Sequence, residues 1–413
     1  MKKILLSCLL TAVFTLAAAA SAFVIGAGYF IGNYAVHFGL ERGTEDNPQE
    51  PPRAYALLMP PEARHFNKPD FVNEDWTITS ADGLQLKATH YMPRARLNAQ
   101  AVRRLRTIVQ DFQPDIVQGW MYHSNVLAHL ARAFASKVAG HRVPLAIAIR
   151  SSMTLFAREK RLTKLVVRLD AWLSRRADRV FYVSRLGAQQ HSEFGYARER
   201  AMIIPNGFNC DTFQPMPQVR DAVRTELGLA PETPMVGLVA SWQPIKNHSG
   251  FLAAAAMLAQ RHPDAHFLCV GRGCSADDPA VQACVPENIR ARVHLLAERG
   301  DIPRLNAALD IAVNASHAEA FPNVVGEAMA CGIPMVVTDV GDSAWILDGC
   351  GKVVPPGDDR ALSDALDALL SLPAPVRQQL GARARERVVK DFSLPAVAER
   401  YWQEWSALVA DTR

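Results

Sequence analysis

From about residue 97 onward, short apolar runs alternate with stretches of helical character, and this alternation constrains the chain more than any other feature. Residues 115–118, 145–149 and 180–183 are strand-like in the first half, and residues 235–240, 266–270, 311–314 and 334–338 in the second. Continuous short apolar runs separated by helices are the mark of parallel strands buried on both faces. The pattern predicts an α/β protein of two Rossmann-like, doubly wound domains joined near Pro205-Asn206-Gly207. Open sheets of this kind bind ligands at the carboxyl ends of their strands, so the chemistry is sought there.

The amino-terminal part has a different texture. Lys2 and Lys3 precede an uncharged run from 4 to 36, long enough to span a bilayer and longer than a signal-peptide core. Residues 1–40 are therefore expected to be a signal anchor, a transmembrane helix, with a signal cleaved at Ala20-Ser21-Ala22 as the alternative. Residues 41–96 hold a linker with Pro48, Pro51, Pro52, Pro60, Pro61 and Pro69, followed by a predicted β-hairpin. In that hairpin, alternating runs at 76–80 and 84–91 flank Asp82-Gly83. The positive tip argues for a cytoplasmic amino terminus and hence a body outside the cell. The seven cysteines argue the other way, because an odd number without paired spacing reads as thiols of a reducing compartment.

The formal net charge of +4 conceals an asymmetry. Residues 96–205 carry 19 basic and 7 acidic groups, a net +12, whereas residues 206–413 carry 18 and 25, a net −7. A cationic segment calls for an anionic partner. Within it, Leu162, Leu165, Val166, Leu169, Trp172 and Leu173 form a helical apolar stripe, with Arg161, Lys164, Arg168 and Arg175 assigned to another face. Such a helix either lays its stripe on the sheet or docks on anionic lipid. Nucleic acid is not an expected partner, because aromatic stacking platforms are missing. No metal site is expected, since the gaps between Cys269, Cys274 and Cys284 do not suit zinc. Gly271-x-Gly273 leads into Asp277-Asp278-Pro279 instead of an apolar helix, which rejects a dinucleotide site.

The richest string is SHAEAFPNVVGEAMACG at 316–332, directly after a strand. Pro322 suits the first turn of a helix that Val324 continues, so free N–H groups face the strand end and can hold a phosphate oxygen. Glu327, on the second turn, can accept two hydrogen bonds from a diol such as a ribose. Glu319 and Glu327 can equally be a loop carboxylate and a charge complementing the helix dipole. Residues 235–250 read strand, loop, helix, and the loop carries Lys246, a point charge suited to a diphosphate.

These strings occur in order with Ile204-Pro205-Asn206-Gly207, Val270-Gly271-Arg272-Gly273, Thr338-Asp339-Val340-Gly341-Asp342 and Val354-Pro355-Pro356-Gly357-Asp358. As a set they make residues 97–413 resemble the retaining glycosyltransferases of family 4, which have the two-domain GT-B fold. The resemblance implies a partial amino-terminal acceptor domain at 97–210, a nucleotide-sugar domain at 211–390, and a helix at 391–413 that crosses back. It implies catalytic roles for Lys246 and Glu319. Donor contacts would come from Lys246, Ser241, Gly271, Arg299, Ile302, Phe321, Pro322, Asn323, Val324 and Glu327. Ser241 stands where relatives commonly carry an arginine.

The expected donor is a UDP- or GDP-linked sugar with no further cofactor, and the expected acceptor is a glycan or lipid-linked molecule. Polysaccharide or lipopolysaccharide synthesis follows, with the body on the cytoplasmic face of the inner or plasma membrane. The hairpin near 71–93 resembles the opening of α/β-hydrolases, but no Gly-x-Ser-x-Gly elbow occurs in the chain, which opposes an anchored hydrolase. The alternative is a fusion that binds nucleotide without turning it over.

Overall fold

The structure is a computed structural model that describes residues 35–40, 74–79, 85–91, 99–154 and 156–411. The expected anchor lies almost wholly outside these residues. Its last stretch does not: β1 (Ala35–Leu40) is a strand that pairs antiparallel with β3 (Gln85–Tyr91). This corrects the expected boundary at residue 40, because backbone groups satisfied in a ladder are not part of a membrane helix. Among the described residues no helix is long and apolar enough to cross a membrane. The hairpin is formed by β2 (Glu74–Thr79) and β3, with Thr79 opposite Gln85, and the sheet order is β1-β3-β2.

The chain divides into two compact units. One takes in the chain through Tyr182, Ala188–Ile203 and Tyr401–Arg413; the other takes in Val183–Gly187 and Ile204–Arg400. The first is built on a parallel sheet of β4 (Val117–Trp120), β5 (Leu145–Ile149), β6 (Arg179–Tyr182) and β7 (Ala201–Ile203), laid down in sequence order. All five residues of β5 are buried, as a central parallel strand requires. Tyr401 and Trp405, late in the helix Leu394–Ala410, cover this sheet. The Tyr401 ring lies 5.2 Å from that of Phe181, and the Trp405 indole donates to Gln118 Oε1 at 2.6 Å.

The helix Arg161–Ser174 turns the reverse of the way expected if its large apolar residues covered the sheet. Val167, Asp170, Ala171 and Ser174 face inward, while Leu165, Leu169 and Trp172 are 54%, 42% and 52% exposed. The physical reason is Asp170. Its carboxylate accepts from Asn125 Nδ2 at 3.0 Å and from the Tyr196 hydroxyl at 2.9 Å, which fixes the polar side of the helix in the interior. Burial pushes the Asp170 carboxyl up to about 7.

The second unit holds a six-stranded parallel sheet. Its strands are β8 (Met235–Val239), β9 (His266–Val270), β10 (Val293–Leu296), β11 (Ile311–Asn314), β12 (Met335–Thr338) and β13 (Gly351–Val354), in the order β10-β9-β8-β11-β12-β13. The chain runs outward from β8 to β10, then returns to place β11 on the other side of β8. The crevice at such a reversal is where doubly wound sheets take ligands. Apolar side chains from both faces of the sheet pack into two buried clusters. A buried ion pair closes the opposite end: Arg224, fully buried, meets Asp310 Oδ2 at 2.7 Å, and Asp310 also accepts from the Met235 N–H.

Candidate active site at the strand-order reversal

β8 ends at Val239, and the chain turns through Ala240-Ser241-Trp242-Gln243 into a single 3₁₀ turn, Pro244–Lys246, before the helix His248–Leu258 begins. β11 ends at Asn314, next to β8 across the reversal. Its outgoing loop is tied to the 3₁₀ turn, because the His317 N–H donates to the Ile245 carbonyl at 2.8 Å. That contact brings the expected pair together. Lys246 Nζ lies 2.6 Å from Glu319 Oε1, and the Ser316 hydroxyl donates to the same oxygen at 2.7 Å. Ser316 is held in turn by Thr338, whose hydroxyl donates to its carbonyl at 2.7 Å.

Past Glu319 the loop buries Phe321 and Pro322 and enters the helix Asn323–Ala330. Pro322 is the residue before the helix and not its first turn, with φ −77° and ψ 107°; a proline with ψ in the extended range is already outside helical geometry. No side chain caps this helix start, and with the Val325 N–H donating to the Pro322 carbonyl at 3.1 Å, the N–H groups of Asn323 and Val324 remain for a ligand. The Asn323 carboxamide oxygen accepts from Asn206 Nδ2 at 2.6 Å, which ties the 204–207 stretch to the helix mouth. Gly326 must be glycine, because a Cβ there would collide with the Phe208 ring.

Glu327 lies one turn in, half-buried, and its carboxylate has no hydrogen-bond or ion-pair partner among the described residues. Burial pushes its carboxyl up to about 7. A desolvated carboxyl without a partner at a strand-end crevice is the kind of group that a ligand's hydroxyls satisfy.

On the other side of β8, the loop after β9 lies flat on the β8 loop. Gly271 has φ +148°, and a Cβ there would meet the Ala240 carbonyl; the Trp242 N–H donates to the Arg272 carbonyl at 2.8 Å. Ser241 sits between these contacts. Arg272 is exposed and has no ion-pair partner among the described residues.

Arg299 and Ile302 belong to the segment after β10, two strands from β8. Arg299 is engaged by Asp301 at 2.7 Å and by Glu226 at 3.1 Å, and it holds the Asp301 carboxyl well below the usual carboxylate range. Among the described residues neither Arg299 nor Ile302 makes a hydrogen bond or ion pair with Lys246. The structure therefore gathers Lys246 and Glu319, which touch, and places Ser241 and Gly271 on one side of them. Phe321, Pro322, Asn323, Val324 and Glu327 follow along the other loop and its helix.

Sequence reasoning missed Ser316 and Arg272. A hydroxyl three residues before Glu319 was the available signal for the first, and a cation between two glycines for the second.

Comparison with known proteins places the chain. Residues 67–212 match the family model Glycosyltransferase Family 4, and residues 233–372 match Glycosyl transferases group 1, between them more than half of the sequence. The chain belongs to the group 1, family 4 glycosyltransferases. The family match starts at residue 67, so it takes in the β2–β3 hairpin that the sequence had set outside the resembling segment.

A D-inositol 3-phosphate glycosyltransferase of Nocardia farcinica is 31% identical over 242 residues, covering 56% of this chain and 53% of that one. One from Mycobacterium sp. (strain JLS) is 34% identical over 212 residues, covering 49% and 47%. The chain thus spans about half the length of the curated relatives it matches. Among solved structures, Anabaena HepE in complex with UDP superposes with a TM-score of 0.63 at 21% identity, covering 75% of this chain and 82% of that one. Sucrose-phosphate synthase of Thermosynechococcus elongatus gives 0.60 at 21% identity, covering 78% and 81%. At these identities the likeness shows the fold, α/β with two parallel Rossmann-like sheets.

Proposed function

We propose that this family 4 protein transfers a sugar from a nucleoside-diphosphate donor to a hydroxyl acceptor with retention of configuration. The observation that carries the reading is the Lys246–Glu319 pair beside an uncapped helix mouth and the unpartnered Glu327, all at the strand-order reversal.

The ammonium of Lys246 uses one of its three donors on Glu319 and keeps two for the diphosphate. The N–H groups at Asn323 and Val324 take further phosphate oxygens, and the ionised Glu327 accepts from the ribose hydroxyls. The nucleobase lies against the backbone of 299–301 and Ile302, since the Arg299 guanidinium is already engaged. As the glycosidic bond to the diphosphate breaks, negative charge grows on the leaving oxygen, and preformed cations and amides stabilise it without reorganising. The departing phosphate takes the acceptor's proton on the same face, which retains configuration.

Arg272 contributes the second cation. Lys246 alone is offset by Glu319, and the Arg272 peptide lies against Ser241-Trp242 on the approach to Lys246. HepE has been solved with UDP-glucose, and the Nocardia and Mycobacterium relatives are D-inositol 3-phosphate glycosyltransferases. These support a UDP- or GDP-sugar as donor and a phosphorylated, glycan or lipid-linked acceptor here. The chain would then work at the cytoplasmic face of the inner or plasma membrane, held by its amino-terminal segment and the basic helix, in polysaccharide or lipopolysaccharide synthesis.

The test is titration with UDP and GDP, then release of nucleoside diphosphate from their sugars with and without inositol phosphate or membrane lipid. Failure of both nucleotides to bind would end the reading. A second reading is favoured by one observation: the sheet of the first unit shows four strands and no reversal among the described residues. A truncated first domain would leave a protein that binds nucleotide without turnover, and binding with no release under any acceptor would select it. Digestion of the body by protease added outside intact cells would defeat the cytoplasmic placement.

A further inference from the structure

The exposed face of the helix Arg161–Ser174 is continuous with a cationic cavity. At 3.6 residues per turn, Leu165, Leu169 and Trp172 share one side, and Arg161 and Arg168 fall within about 60° of Leu165 around the axis. Past the helix end, the Arg176 guanidinium stacks over the Trp172 ring at 4.0 Å. The Arg176 carbonyl accepts from Arg132 at 3.0 Å. Arg132 lines a shallow, open cavity of about 710 Å³ whose rim includes Lys137, His141 and Arg142. Among the described residues Asp178 is the one acid paired with this group, through Arg142 at 2.5 Å. Burial, and after it the charge of Arg142, push Arg132 down from its ordinary value. The cavity therefore gathers more positive charge than its own surroundings offset. The carboxyl end of the helix Met121–Ala139 accounts for part of this, but a helix terminus balances only about half a unit charge.

We propose that this surface is a docking site for an anionic phospholipid bilayer, in which Leu165, Leu169 and Trp172 enter the interface and the Arg132–Lys137–Arg142 cavity receives a lipid headgroup phosphate. Three large apolar side chains ringed by arginines suit the boundary between headgroups and acyl chains. A second copy of the chain is disfavoured as occupant, because a two-fold contact would oppose the same arginines to one another. This deepens the membrane association in the reading above and supplies its contact surface.

The experiment is co-sedimentation of the full chain with phosphatidylcholine vesicles, with and without phosphatidylglycerol, with UDP and GDP affinity measured on each variant. Wild type is expected to prefer the anionic vesicles. Lys137→Glu and Arg142→Glu should each weaken binding to them roughly fivefold and leave binding to neutral vesicles unchanged. The triple variant Leu165→Ser, Leu169→Ser, Trp172→Ser should weaken binding to both. The amino-terminal segment cannot mimic this pattern, because it is identical in every variant.

Equal binding by wild type and variants overturns the proposal. So does a concentration-dependent dimer that the same substitutions abolish, or competition for the cavity by inorganic phosphate with no preference for anionic vesicles. Unchanged nucleotide affinity in a variant that has lost vesicle binding keeps the transfer reading intact. Absence of nucleotide binding in wild type, with vesicle binding retained, sinks only that reading.

Discussion

In the second unit the strands run outward from β8 and then return to its other side, whereas β4 to β7 advance one beside the next without turning back. Both sheets are parallel, yet among the described residues the reversal, where doubly wound sheets open a crevice between adjacent strand ends, occurs in the second alone. A buried carboxyl marks the contrast. Asp170 in the first unit and Glu327 in the second are each pushed up to about 7 by burial. Asp170 Oδ2 accepts from Asn125 and Tyr196 inside the fold, leaving only its buried Oδ1 without a partner among the described residues, while neither oxygen of Glu327, one turn into its helix, has one. The same desolvation is structural in one place and poised for a ligand in the other.

The comparison breaks first at Lys246. Lys246→Ala should lower kcat/KM by a factor of roughly 10² to 10³, the loss typical of a group that meets charge developing in the transition state. Its melting temperature should stay close to wild type. A variant that retained activity would show that the reversal is not the reacting centre.

Arg272→Ala should weaken UDP or GDP binding by about tenfold or more, the scale of one charge-assisted hydrogen bond. Ser241→Arg added to Arg272→Ala should recover part of that loss, because the new guanidinium starts from the adjacent backbone. Unaltered affinity in Arg272→Ala would remove it from the clamp.

Glu327 gives a pH signature. Ribose hydroxyls donate to its ionised form, so nucleotide-sugar affinity should rise as pH increases through about 7, by several-fold between pH 6 and 8. Glu327→Gln should flatten the profile, and a profile as steep in the variant as in wild type would assign it elsewhere.

Asp170 should behave in the opposite manner, with the smallest effect on binding. Its folded value is raised, so the folded form holds a proton that the unfolded chain has released. Stability conferred at low pH is then lost as pH rises from near 4 through about 7. Asp170→Asn should reduce that slope in thermal melts and leave nucleotide affinity unchanged. A changed affinity would mean that the two units are energetically coupled.

Much of the second sheet was legible because its central strands are continuous apolar runs: 266–270 and 311–314 match β9 and β11 residue for residue. The unread strands β7, β10 and β13 are all sheet edges and partly exposed; β7 is only three residues long, and His294 and Lys352 interrupt the runs of β10 and β13. An edge strand is held by its neighbour's hydrogen bonds, and its own side chains carry little signal. At the site, Glu319, Glu327 and Lys246 could be named from their spacing to strand ends. Ser316 and Arg272 could not, since their importance comes from the loops they touch.

The sequence by itself determined the alternation of strands and helices, the order of the loop motifs and the amphipathic pattern of residues 161–174, because each is a sum over near neighbours along the chain. Only the tertiary structure decided that Lys246 meets Glu319 across 73 positions, that Glu327 is desolvated, and that the large apolar residues of that helix face outward. Ion pairing and desolvation depend on which groups share a volume, and that is settled by how the strands are ordered in space.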